Sequence, residues 1–269
     1  MAETYKKISI AHKHFIQEMN TIWESFETID HYSQVLHNLI KDETINPPSF
    51  QHLTFDKVHS IKSIRKDNSY GILSHIKDKK NPRTALIEAA LIFEDYISKI
   101  ILFVYTDYPM KASPSKDSNE SNETREKLFQ IILNSENKQE ILDRLLEEKL
   151  RGMFYGNIAD IFLKDKAKLE LGDTFTNPDG RKLINNMSEI FARRNIHIHN
   201  GGRIDRKYIK EAKQHGDKLG KVLTIDSNYI RDSINILTQI ATMFTCAVMK
   251  NIYNVSPKSS ALKRTYWHK

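Results

Sequence analysis

Cysteine is nearly absent from this sequence: Cys246 stands alone among 269 residues. A single thiol excludes an intramolecular disulfide and any cysteine-built zinc site. It falls in the apolar run 240–249, which predicts a buried, unreactive side chain. Glycine and proline are also scarce, at 9 and 7. Sandwiches and barrels need many turn residues, so the shortage points to long helices and an all-α fold. No window is apolar over the length a membrane helix requires, and no apolar stretch follows the opening Met1-Ala2-Glu3-Thr4-Tyr5-Lys6-Lys7. A cytoplasmic protein with no membrane partner is therefore expected. Several catalytic signatures are missing as well: a Gly-rich phosphate loop, Gly-x-Ser-x-Gly and His-Glu-x-x-His. No metal site and no cofactor are expected.

What is present is positive charge. Lys and Arg number 41 against 34 Asp and Glu, a formal net charge of +7. That balance suits an anionic partner, with nucleic acid the first candidate, although a Lys-rich helical surface produces the same number.

Residues 3–43 read as one helix. Phe15, Met19, Ile22, Phe26, Ile29, Ser33, Leu36 and Ile40 follow alternating four- and three-residue steps and form one apolar seam, ended by Asn46-Pro47-Pro48. Residues 50–80 show no clear period. Asn81-Pro82 predicts a capped helix start, with the helix running to about Tyr105. Residues 111–123 read as a polar loop, followed by helices at 124–134, 138–150 and 157–170. Asn177-Pro178-Asp179-Gly180 reads as a turn before a helix from 181 to about Asn200. A short helix is expected at 205–214 and a short strand at 221–225; Asp226 or Ser227 then caps a last helix from 228 to about 253. The implied organisation is an N-terminal helical extension over 1–80, a helical domain over 81–255 and a basic tail over 256–269. Histidines outside the motif described next, His12 among them, read as surface residues.

The stretch that carries chemistry is Phe191-Ala192-Arg193-Arg194-Asn195-Ile196-His197-Ile198-His199-Asn200-Gly201-Gly202-Arg203-Ile204-Asp205. Arg194 continues the apolar face of Leu183, Met187 and Ile190, so a cation faces inward and needs an anion. That anion is either a carboxylate such as Glu94 or Asp95, or a ligand phosphate. Two histidines lie in the last turn, and two glycines then permit close backbone approach.

This stretch resembles the HEPN superfamily of helical ribonucleases and nucleotide-binding domains. That family carries Arg, four to six residues, then His, often with a polar residue straight after the Arg. Arg194, Asn195 and His199 match this pattern. Arg193 also reaches His199, whereas His197 lies too close to either arginine. The order that follows (Asn-Gly-Gly-x-Ile-Asp, Tyr208-Ile209, Leu223-Thr224-Ile225 and an apolar closing helix) resembles HEPN proteins of bacterial phage-abortive and toxin systems. The resemblance covers roughly 82–255. The His-x-Tyr pattern of toxins silenced on a tyrosine is missing, since position 201 is Gly.

The resemblance implies a HEPN-like helical bundle acting as a metal-independent endoribonuclease in phage defence or a toxin system. The RNA 2′-hydroxyl would attack its neighbouring phosphate and leave a cyclic phosphate. His199 would move the proton, Arg194 would hold the phosphate, and Asn195 would orient the His or bind an oxygen. Arg193, His197, Asn200 and Arg203 would contact the substrate. RNA and a second copy of the chain are the implied partners, with a regulatory protein partner also possible. Three alternatives stay open: a catalytically inactive HEPN domain binding RNA, a nucleotide or a protein; a structural dimer in which Arg194 is an ion pair and His199 a helix-end cap; and a His197/His199 metal site. One geometric condition attaches to the first reading. On an unbroken helix, residues 194 and 199 point about 140° apart, so the helix must end or distort at His199.

Overall fold

A computed structural model of the chain describes residues 3–47, 49–53, 58–63, 66–112, 137–155, 157–212 and 219–256. The fold is mainly helical. Its elements are α1 (Thr4–Lys41), a two-stranded antiparallel hairpin of β1 (Ser49–Leu53) and β2 (Val58–Ser63), α2 (Lys66–His75), a π-helical turn (Ile76–Lys80), α3 (Asn81–Asp107), α4 (Lys138–Tyr155), α5 (Ala159–Leu163), α6 (Pro178–His199), α7 (Arg206–Ala212) and α8 (Ser227–Asn251). The hairpin register slips between Gln51 and His52. The loop expected up to 123 and the helix at 124–134 fall largely outside the described residues, as does nearly all of the basic tail; Pro109–Ala112 forms a single 3₁₀ turn.

α3 is the central element because its apolar stripe is too wide to cover one neighbour only. Leu86, Ala90, Phe93, Ile97, Ile100, Ile101 and Val104 are all buried, facing α1, α6 and α8. Phe15 of α1 stacks on Tyr96 at 4.5 Å between ring centroids, and Phe162 packs edge-on against both Phe175 and Phe244. Ile8, Phe15, Met19, Ile22 and Phe26 of α1 therefore share one continuous core with the helices after residue 81.

Several expectations need correcting. Ile29 and Leu36 leave the seam and are exposed: the C-terminal half of α1 packs on α2 and the π turn along another line, with Ser33 and Ile40 buried and the His37 ring against Tyr70. α1 ends at Lys41, ahead of the two prolines, with Glu43 in the left-handed region at φ 58°. Asn81 caps nothing. Residues 66–107 run helically without a break, and the Asn81 amide donates to the Phe26 carbonyl at 2.9 Å. The π turn before it explains how Pro82 is accommodated, since proline can neither donate to the carbonyl four residues back nor leave room for it.

The helix expected over 157–170 shrinks to Ala159–Leu163. Asp165 turns left-handed at φ 44°, and its carboxylate accepts from the amides of Leu169, Glu170 and Leu171. Those amides are diverted from helix bonds, while Leu169, Leu171 and Phe175 enter the core from a loop. Asn177 begins a helix rather than a turn. Its side chain accepts from Gly180 N–H at 2.8 Å, with Pro178 in the first turn. Asp226 caps α8 in the same way, at 2.7 Å from Tyr229 N–H, whereas 221–225 contributes a single bridge, Arg203 to Val222.

His12 is buried, not on the surface. Its Nε2 lies 3.0 Å from Thr242 Oγ1, and that hydroxyl donates to the Thr238 carbonyl, so His12 supplies the N–H. Burial pushes its pKa down to about 4 from 6.5. An unfolded chain binds this proton near 6.5 and the folded chain near 4, so the stability His12 confers is complete above 6.5. It is lost as pH falls through 4, an effect of about 3 kcal/mol. The expected result is that urea unfolding free energy falls by that much more between pH 7 and 4 in the native protein than in His12→Gln. Parallel pH dependences in the two proteins would contradict it.

Candidate active site

α6 carries the motif and stays helical through His199. The amides of Asn200 and Gly202 both donate to the Ile196 carbonyl, and Gly201 and Gly202 close the turn at φ 57° and 78°. Beyond it, the amides of Ile204, Gly220 and Leu223 bond to Lys221, Ile204 and Gly202 carbonyls, tying the two ends of the α7 excursion together. Ala192, Ile196, Ile204, Tyr208 and Ala212 form a small second core beneath this turn.

Arg194 faces inward, as its place on the apolar side requires. Its Nη2 pairs with the Glu94 carboxylate of α3, and its Nη1 donates to Asn195 Oδ1 at 3.1 Å. Burial raises the Glu94 pKa, and the Arg194 charge beside it pulls it back. The guanidinium's Nε–H is buried without a partner.

Arg193 is half-buried, and its guanidinium is engaged within the protein. Its Nε donates to Glu189 at 2.8 Å, its Nη1 to the Thr224 carbonyl at 3.3 Å, and its plane lies 4.0 Å from the centre of the Tyr229 ring. Glu189 also accepts from Tyr208 at 2.8 Å and Tyr229 at 2.7 Å. Burial and the Glu189 charge hold both phenols above their usual range, so they act as donors. One buried carboxylate thus joins α6, α7 and α8. Its sequence signal was a glutamate on the apolar face four residues before an arginine.

His197 is half-buried against Gly202. A Cβ built at Gly202 would lie 2.7 Å from the ring, so this glycine is needed for space as well as for its backbone angle. Burial, then the charges of Arg193 and of Arg83 at the start of α3, lower the His197 pKa, while the Leu223 backbone pulls the other way as a hydrogen-bond partner. Nε2 is buried and unpartnered. His199 and Arg203 are exposed, and exposed Asn200 donates to the Arg203 carbonyl at 2.8 Å.

The arrangement brings Arg194, Asn195 and Glu94 together and, separately, Arg193 with Glu189. Because α6 does not break before His199, Arg194 and His199 diverge by about 140° within one chain, while His197 lies about 40° from Arg193 and about 60° from Arg194. Among the described residues, no group of three or more His, Cys, Asp or Glu is placed to hold a metal ion, and no helix is long and apolar enough to cross a membrane. Burial pushes the Cys246 thiol up to about 11, which keeps it protonated. Compared with known proteins, the chain matches no family model, no curated protein and no solved structure.

Proposed function

We propose that this chain is a metal-independent endoribonuclease of the HEPN type, acting on RNA in the cytoplasm in phage defence or a toxin system. The observation that carries the reading is the state of Arg194. Two of its nitrogens are fixed by Glu94 and Asn195, its third stands unfilled, and an exposed imidazole, His199, ends the same helix. A guanidinium held in place with N–H groups to spare suits a phosphate oxygen, and imidazole transfers protons near neutral pH. Asn200 and Arg203 lie exposed beside His199, where an RNA strand would pass.

Since Arg194 and His199 diverge on one helix, the site is completed by a second copy of the chain across a two-fold axis. Leu91 and Ile198 support that assembly: they are exposed apolar side chains, one turn from Glu94 and Arg194 respectively. The reaction then needs no metal. Purified protein incubated with total RNA in excess EDTA is expected to cut it, and cleavage restored only by a divalent ion would contradict the mechanism.

The Arg194–Glu94 pair also favours a second reading, in which the cation is already neutralised and the domain binds RNA, a nucleotide or a regulatory protein without cutting. RNA binding without cleavage in the same assay would select it.

A further inference from the structure

The C-terminal half of α1 and α2 form a two-helix arm. Asn81, at the start of α3, bonds to the Phe26 carbonyl, and beyond that bond α1 packs on α2 and the π turn. Three contacts define the packed face. Lys77 reaches Asp30 at 3.9 Å and Gln34 at 3.1 Å, and the His37 ring lies 4.8 Å from that of Tyr70. Tyr32 points about 140–160° away from each of these α1 residues. The face around it is open among the described residues. Ile29, Tyr32 and Leu36 are 42%, 59% and 41% exposed, with Val35 and Leu39 half-buried beside them. Positions 29, 32, 36 and 39 follow the three- and four-residue steps by which one helix packs along another.

The composition of this face selects its occupant. Three, four and seven residues to either side of Tyr32 stand Ile29 and Val35, Thr28 and Leu36, and Ser25 and Leu39. None is charged, although Glu24, Glu27 and Asp30 occupy the other faces of the same turns. In an antiparallel pair of identical helices with a two-fold axis at Tyr32, each residue faces the other member of its set. Ser25 then meets Leu39 and Thr28 meets Leu36, small against large, as interlocking side chains require. No charge on this face is brought against its own copy.

We propose that the arm is a self-association element, and that the occupant of this face is the same face of a second copy of the chain, antiparallel and centred on Tyr32. The pairing rests on the arm alone, whether or not the chain cuts RNA, and uses a surface distinct from Leu91 and Ile198. His197 feels the charge of Arg83 at the start of α3, so α6 ends near the base of the arm. Pairing through the arm therefore brings a second copy to the end of the body that carries the candidate site. The contact falls short of the roughly 20–30 residues a side of a standard interface, so it is expected to be reversible.

The test follows the mass of the full chain by sedimentation equilibrium over a range of concentrations. The native protein is expected to self-associate reversibly. Ile29→Glu/Leu36→Glu sets like charges within the paired face and is expected to weaken association by about a hundredfold or more. Both positions are exposed, so its circular dichroism and melting temperature as a monomer should match the native chain. Tyr32→Cys reports the register. A residue on the axis faces itself within disulfide reach, so mild oxidation should give a covalent dimer, while Glu27→Cys and the native chain should give none. Undiminished association of the glutamate variant, or cross-linking through Glu27→Cys in place of Tyr32→Cys, would overturn the proposal, as would a native chain that stays monomeric. None of these readouts uses RNA, so the pairing can fail while cleavage stands.

Discussion

His199→Ala is expected to lower RNA cleavage by about 10²–10⁴-fold, the usual contribution of one proton-transfer group, with almost no change in melting temperature. The stability half of this expectation follows from position. His199 is exposed at the last residue of α6, and substitutions away from buried features usually stay within about 0.5 kcal/mol. Arg194 separates charge from shape at the same site. Arg194→Lys keeps a cation for Glu94 and so should fold, yet it loses the planar fork and is expected to cut nearly as poorly as Arg194→Ala. The two measurements are cleavage rate and melting temperature on the same preparations. A His199→Ala or Arg194→Lys protein that cuts within about threefold of the native rate would contradict these roles.

Glu189→Ala is expected to destabilise the chain by about 3–5 kcal/mol, the cost of breaking a buried pair by removing one partner. Arg193 would be left with its side chain 14% exposed and no carboxylate, and the hydroxyls of Tyr208 and Tyr229 would lose their acceptor. Glu189→Gln keeps an acceptor oxygen and should lose less. Urea unfolding of the three proteins measures this, and a loss below about 1 kcal/mol in the alanine variant would show that the network adds little. Since α7 and the 219–225 segment hang on this carboxylate and on the small core beneath it, their amide exchange should rise before that of α3.

The long helices were legible because their signals are local and repeated. α1, α3 and α8 follow the 3.6-residue period closely enough to be read within a few residues of their ends. What failed was set by long-range competition. Asn81-Pro82 has the form of a helix start, but a π turn absorbs the proline and Asn81 bonds across to α1. Ile29 and Leu36 keep the period of the seam where α1 turns a different line, Ser33 and Ile40, toward its neighbours. Residues 157–170 have helical composition, yet one aspartate captures three amides and unwinds the second half.

The site divides in the same way. That Arg194 turns inward could be read from the line of apolar residues it continues, and Glu94 could be named as a partner. Counting residues between Arg and His selects His199, because spacing carries no information on where the helix ends. The two amides bonded to Ile196 carry α6 through His199 and so turn His199 about 140° from Arg194, a divergence that spacing alone does not reveal. The Glu189 hub draws on residues 19 and 40 positions away, a distance at which sequence periodicity says nothing.

Attack by the 2′-hydroxyl is the central claim, and it is tested most directly on a defined RNA with a mapped cut, prepared again with a single 2′-deoxy sugar on the 5′ side of that linkage. With the native protein in excess EDTA, the all-ribose strand should yield a 2′,3′-cyclic phosphate and the deoxy linkage should resist completely. Cleavage of the deoxy linkage, or a 3′-hydroxyl product from the ribose one, would contradict the account.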